Sequence, residues 1–208
     1  MTTSYDFLDA SPVIPVITIE ALEHAVPLAS ALVAGGIFNL EVTLRTQHGL
    51  DAIRLISEQV PDANVGVGTV CSAAEFDSAI EAGASFVVSP GQSEELFERA
   101  LLTGVPFLPG AVTATEVMAA KSAGFNILKF FPAGTSGGAA AIKAFAGPFG
   151  GIQFVPTGGI KPDNAHDYLS LSNVRAVGGT WLTPIDLITS GRWDELEAIA
   201  RQASSLNK

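Results

Sequence analysis

The chain repeats one two-part unit. A helical stretch ends in a small residue and a glycine, and a short apolar segment follows. ALVAGGIFNLEVT (31–43), AIEAGASFVVS (79–89), ALLTGVPFL (100–108) and AAKSAGFNILKF (119–130) all have this form. Glycine suits the end of a helix because it takes left-handed backbone without a Cβ penalty. The segments that follow are short and apolar, as parallel strands covered by helices tend to be. Eight such strands are predicted: Val13–Ile17, Phe38–Thr43, Val65–Gly68, Phe86–Ser89, Pro106–Leu108, Ile127–Phe130, Gln153–Pro156 and Ala176–Val177, about 20 to 27 residues apart. Repeated strand–helix units imply parallel strands, and eight of them fit a compact α/β fold of the (β/α)8 TIM-barrel type. SYDFLDAS, ahead of the first strand, is expected to form a short N-terminal helix. The rival is an open doubly wound sheet. No GxGxxG opens a helix after the first strand, and GVGTV has too few glycines.

No linker, charge block or low-complexity stretch divides the 208 residues, so one domain over 1–208 is expected. With 48% of residues hydrophobic a substantial core is affordable, yet no apolar run approaches the roughly 18 residues of a membrane helix. A net charge of −10 argues against nucleic acid and anionic membrane as partners. It leaves room for a small anionic substrate, because a site works by local charge. MTTSYDFLDAS lacks a basic start and an apolar stretch, so no signal peptide is expected. The single Cys71 cannot form an internal disulfide, and the expected compartment is the cytoplasm.

In NILKFFPAG (126–134) an ammonium sits among apolar residues. Alternation groups Ile127, Lys129 and Phe131 against Leu128 and Phe130, and both groups contain apolar residues, so the period does not choose a face. Charge does: Lys129 must face the polar end of the strands, because the alternative buries it among helices. In LEVTLRT, Glu41, Thr43 and Arg45 share one face and Leu40, Val42 and Leu44 the other, helix-covered one. Glu41 and Arg45 then point to the same end as Lys129, provided the strand continues to Arg45. Burial and a nearby cation favour a neutral amine, which attacks carbonyls to give an imine. The competing reading is a structural Lys129–Glu41 ion pair. VPTGGI and VGGTW follow the seventh and eighth strands, where such folds often bind phosphate through glycine-rich backbone, and Thr157 and Thr180 add hydroxyls.

LEVTLRT, VGVGTV, SPG, PFLPGAVTATE, LKFFPA, FVPTGGI and VGGTWL, in this order from the first strand to the last helix, resemble the 2-dehydro-3-deoxy-phosphogluconate (KDPG) and 4-hydroxy-2-oxoglutarate (KHG) aldolases. These are class I enzymes, the former of the Entner–Doudoroff pathway. The resemblance implies Lys129 as the imine-forming lysine and Glu41 as the general acid/base. It implies Arg45 and Thr69 at the substrate carboxylate, and Pro90 and Phe131 lining the pocket. It puts Thr157, Gly158, Gly159, Gly179 and Thr180 at the phosphate end. The implied substrate is a phosphorylated 2-keto acid, with no cofactor and no metal, and the implied assembly is a homotrimer. Two positions depart from the usual pattern: Val67 in VGVGT, usually alanine, and Thr180 in GGTW, usually serine.

The phosphogalactonate aldolases share much of this pattern and are the alternative within the family. A phosphate-sugar isomerase or epimerase would use Glu41 as base without a covalent lysine, and a non-catalytic barrel would need neither residue. His24, His48 and His166 lack metal-ligand spacing, which disfavours a metal-dependent aldolase. Cys71, Trp181 and Trp193 read as packing residues, and Lys121, Lys143 and Lys161 as exposed charges.

Overall fold

The computed structural model describes residues 4–206. Met1–Thr3, part of the segment read as lacking a signal peptide, and the last two residues of the expected 1–208 domain lie outside the described residues. Eight strands alternate with helices. They are β1 (Val13–Ile17), β2 (Asn39–Thr43), β3 (Asn64–Gly68), β4 (Val87–Val88), β5 (Phe107–Leu108), β6 (Ile127–Phe130), β7 (Gln153–Pro156) and β8 (Val177–Gly179). The helices between them are α1 (Ala25–Ala34), α2 (Gly49–Gln59), α3 (Ala73–Glu81), α4 (Glu94–Thr103), α5 (Ala114–Ser122), α6 (Gly138–Phe145) and α7 (Ala165–Leu169). After β8 come α8 (Ile185–Thr189) and α9 (Trp193–Ser204). The predicted strands match within a residue or two. The glycines expected to end helices do so: Gly36, Gly83, Gly104 and Gly124 have φ between +69° and +100°.

All strand pairings are parallel. Six strands form one sheet in the order β5-β4-β3-β2-β1-β8, and β6 and β7 form a pair. The seams between the two carry isolated bridges, Gly110 with Lys129 on one side and Phe154 with Val174 and Thr157 with Gly178 on the other. At the first seam the Lys129 N–H donates to Pro109 O and the Ala111 N–H donates to Lys129 O, both at 2.9 Å.

Two apolar clusters lie on the two faces of the strands. The larger contains Leu40, Val42, Val67, Leu128 and Phe130 together with the buried faces of the helices. The smaller lies on the opposite face of the strands and contains Leu8, Ile14, Phe86, Val88, Leu108, Ile127, Val155 and Ala176. Its lower end is closed by the short 3-10 turn Asp6–Asp9, the extra helix expected from SYDFLDAS. Phe7 stacks on Phe86 with centroids 4.9 Å apart, and the Asn39 side chain donates to Phe7 O at 2.8 Å. Tyr5 Oη donates to Phe107 O at 2.9 Å. Burying these rings and satisfying these polar groups ties the turn to the N-terminal ends of the strands.

Candidate active site

The smaller cluster settles what alternation left open on β6. Ile127 belongs to it, whereas Leu128 and Phe130 belong to the helix-facing cluster. Lys129 therefore shares the opposite face with Ile127. On β2, Leu40 and Val42 face the helices and Glu41 faces inward. The two side chains meet: Lys129 Nζ donates to Glu41 Oε1 at 3.0 Å, and each residue is only 3% exposed. Phe131 follows, with its ring centroid 5.1 Å from Lys129 Nζ.

The neighbouring strand makes room for this pair. Gly68 is the register partner of Thr43, and a Cβ there would lie 2.3 Å from Glu41 Oε1. The carboxylate thus occupies the volume that any other residue at 68 would fill. Gly178 stands in the same relation to Thr157, whose Oγ1 a Cβ would approach to 2.1 Å. Gly110 fixes the SPG turn, since a Cβ would lie 2.1 Å from Pro90 O, and its N–H donates to Gly91 O at 2.9 Å. Sequence reading missed Gly68, Gly110 and Gly178 as positioning residues. For Gly68 and Gly178 the only signal was glycine at inward positions of apolar strands, and Gly110 lies beyond the end of β5.

Thr69 follows β3 in left-handed backbone, φ 67°. A β-branched residue there costs about 1–3 kcal/mol, a strain concentrated at functional sites. Thr69 is half-buried, and Cys71 Sγ lies 3.5 Å from its carbonyl oxygen. Desolvation, with Glu75 second, pushes the Cys71 thiol above its usual value, which leaves little thiolate. Pro90 is half-buried beside Gly110.

Arg45 differs from the expectation. β2 ends at Thr43 and the chain turns, so alternation does not carry to residue 45. Arg45 is exposed, and among the described residues it makes no ion pair. The charge in contact with Lys129 is Glu41.

The two glycine turns are brought together by the bridge between Thr157 and Gly178. The Ala133 N–H donates to Thr157 O at 2.8 Å and the Gly134 N–H to Gly158 O at 2.9 Å, which holds the loop after β6 against the loop after β7. Gly158 and Gly159 have φ of 98° and 76°, backbone that other residues rarely adopt. Thr157 is 5% exposed, and its Oγ1 has no hydrogen-bond partner among the described residues. Gly179 is buried under Trp181, where a Cβ would come within 1.8 Å of the indole, and Thr180 is exposed beside it. Trp181 is thus a packing residue. Val67 faces the helices, so its departure from the usual alanine changes packing and not the site.

The chain is similar to known proteins over nearly its whole length. The sequence model of the family described as KDPG and KHG aldolase matches residues 5–199. The 2-dehydro-3-deoxy-phosphogluconate aldolase of Dickeya dadantii (strain 3937) is 50% identical over 202 residues, 97% of this chain and 95% of its own. The KHG/KDPG aldolase of Escherichia coli (strain K12) is 47% identical over the same shares of both chains. Among solved structures, KDPG aldolase from Legionella pneumophila, with pyruvate captured at low pH as a covalent carbinolamine intermediate, superposes with a TM-score of 0.93. It is 43% identical, with 95% of this chain and 96% of that one covered. Neither the match to the family nor the similarity to these relatives is confined to a motif or a half of the fold, and the chain belongs to the KDPG and KHG aldolase family.

Proposed function

We propose that this chain is a class I aldolase, a carbon–carbon lyase that cleaves 2-dehydro-3-deoxy-6-phosphogluconate to pyruvate and glyceraldehyde 3-phosphate and also acts on 4-hydroxy-2-oxoglutarate. The observation that carries the reading is the buried Lys129–Glu41 contact at 3.0 Å. A buried ion pair gives little net stability, since desolvation offsets most of its attraction. A structural role alone is therefore a weak reason for it. An amine and a carboxylate in contact on the inward face are what an imine mechanism requires. The names of the relatives and the covalent pyruvate of the Legionella enzyme support the same chemistry.

In this reading Glu41 takes the ammonium proton, and the neutral Lys129 amine attacks the substrate C2 ketone. Water leaves the carbinolamine and a protonated imine forms, an electron sink next to C3. Glu41, having passed its proton to the departing water, then removes the proton from the C4 hydroxyl. The C3–C4 bond breaks, its electrons move into the enamine, and the aldehyde departs. Protonation at C3 and hydrolysis return pyruvate and the free lysine. Arg45, a cation without an ion-pair partner among the described residues, and the Thr69 hydroxyl hold the substrate carboxylate, with Pro90 and Phe131 lining the pocket. Gly158, Gly159, Gly179, Thr157 and Thr180 form the phosphate end.

The bridges at both seams support closure of the eight strands into a (β/α)8 barrel. We further infer a single catalytic domain over 1–208, a homotrimer in the cytoplasm, and a place in the Entner–Doudoroff pathway. Exposed Leu101 and Leu102 on α4 and Met118 on α5 offer apolar surface for assembly. No helix among the described residues is long and apolar enough to cross a membrane.

Cleavage rates with pyruvate detection across the phosphogluconate-, phosphogalactonate- and hydroxyoxoglutarate-type substrates test the assignment. The phosphogluconate compound should be fastest. Thr180→Asp sets a carboxylate at the phosphate end and should raise KM selectively for phosphorylated substrates. It is preferable to Gly179→Asp, whose side chain would collide with Trp181. Equal sensitivity of phosphorylated and unphosphorylated substrates to Thr180→Asp would remove these residues from the phosphate end.

Gly68→Ala should displace Glu41 without changing the chemistry of any reacting group. A displacement of about 1 Å at a catalytic group can cost about a hundredfold in rate. Gly68→Ala is therefore expected to lower kcat by that order while the protein still forms the pyruvate adduct. A kcat equal to that of the parent would show that the contact is unimportant.

A further inference from the structure

Between the C-terminal ends of β1 and β8 lies a cleft of about 260 Å³. Val16 and Ile185 give it apolar walls, Thr18, Thr180 and Thr183 bring hydroxyls, and Glu20 brings a carboxylate. The cleft adjoins the reacting groups. Val16 is the register partner of Glu41, and the Thr18 and Thr43 hydroxyls are 3.2 Å apart. Thr180 belongs to the cleft and also to the proposed phosphate end. Glu20 is exposed and has no hydrogen-bond or ion-pair partner among the described residues.

We propose that this cleft is a subsite for the outer part of the aldehyde half of the substrate, and that Glu20 is a specificity-determining residue on its rim. The inference rests on the reading of Gly158, Gly159, Gly179 and Thr180 as the phosphate end. Hydroxyls on the cleft wall suit a hydroxylated carbon chain. A carboxylate can accept a hydrogen bond from a substrate hydroxyl, whereas it can only repel a phosphate dianion. Glu20 therefore narrows the advantage of phosphorylated aldehydes over neutral polyhydroxylated ones. Because its carboxylate is solvated, the effect is moderate and screened by salt.

The test runs the reaction in the direction of synthesis, condensing pyruvate with glyceraldehyde 3-phosphate or with glyceraldehyde. The quantity read is the ratio of the two kcat/KM values, so any general loss of folded enzyme cancels. Glu20→Gln should raise the ratio about threefold and Glu20→Lys about tenfold, mostly through KM for the phosphorylated aldehyde. Both gains should shrink at high ionic strength. A ratio within twofold of the parent in both variants overturns the inference, as does a change that salt leaves untouched. If the parent shows no preference for the phosphorylated aldehyde and Thr180→Asp leaves the ratio unchanged, the phosphate reading itself has failed and this inference with it. If Thr180→Asp lowers the ratio while the Glu20 variants do not move it, the Glu20 inference alone has failed.

Discussion

Incubation with pyruvate and borohydride is expected to add one pyruvyl group per chain, irreversibly and at Lys129. Borohydride reduces the imine to a stable secondary amine, so peptide mass spectrometry reads the position directly. Lys129→Ala should lose both the adduct and cleavage. The change also leaves Glu41 buried beside an empty space. Breaking a buried pair typically costs about 3–5 kcal/mol, because an unpaired charge remains. The double variant Lys129→Ala/Glu41→Gln removes that charge. It should melt higher than Lys129→Ala alone, which separates loss of chemistry from loss of fold. Lys129→Arg should be inactive although the cation is kept, because a guanidinium stays protonated and cannot attack the ketone. An adduct on Lys121, Lys143 or Lys161, or full activity in Lys129→Ala, would overturn the mechanism.

Glu41→Gln is expected to lower cleavage by about 10²- to 10⁴-fold, the usual worth of a positioned general acid or base. The amide keeps the size of the side chain and can still accept a hydrogen bond from Lys129 Nζ, so the site should not collapse. The variant should still be trapped by pyruvate and borohydride, though more slowly, because water can take over the proton transfers that Glu41 carries out during imine formation. What it lacks is an acceptor for the proton of the C4 hydroxyl. Single-turnover measurements should therefore show the adduct accumulating while aldehyde release slows. Parent-like cleavage in Glu41→Gln would count decisively against its role.

The repeat unit made the alternation of eight parallel strands with helices legible, because terminal glycines and short apolar strands are local features that packing did not override. Lys129 was placed correctly by charge alone, since burying an ammonium among helices is costly whichever way the strand period is read. Glu41 was legible because Leu40 and Val42 flank it as a clean alternation. Arg45 was not. The alternation rule presumes an extended chain, and the strand stops two residues earlier. Gly68 and Gly178 were illegible for another reason. They act by leaving space for a side chain from the adjacent strand, and that neighbour is known only once the register is. Nor does the sequence announce the left-handed backbone of Thr69, since threonine resists it.

The aromatic turn under the strands has a consequence for traffic. Phe7 and Leu8, with the apolar residues above them, fill the interior on the far side of Lys129. In the proposed barrel the site is a cul-de-sac and not a corridor. Pyruvate is still covalently held when the aldehyde is set free, so the water that hydrolyses the imine must enter along the path the aldehyde has just vacated. A slow-leaving aldehyde then does more than occupy the exit. It keeps water from the imine and stays within reach of the enamine, which favours re-formation of the bond that was just broken.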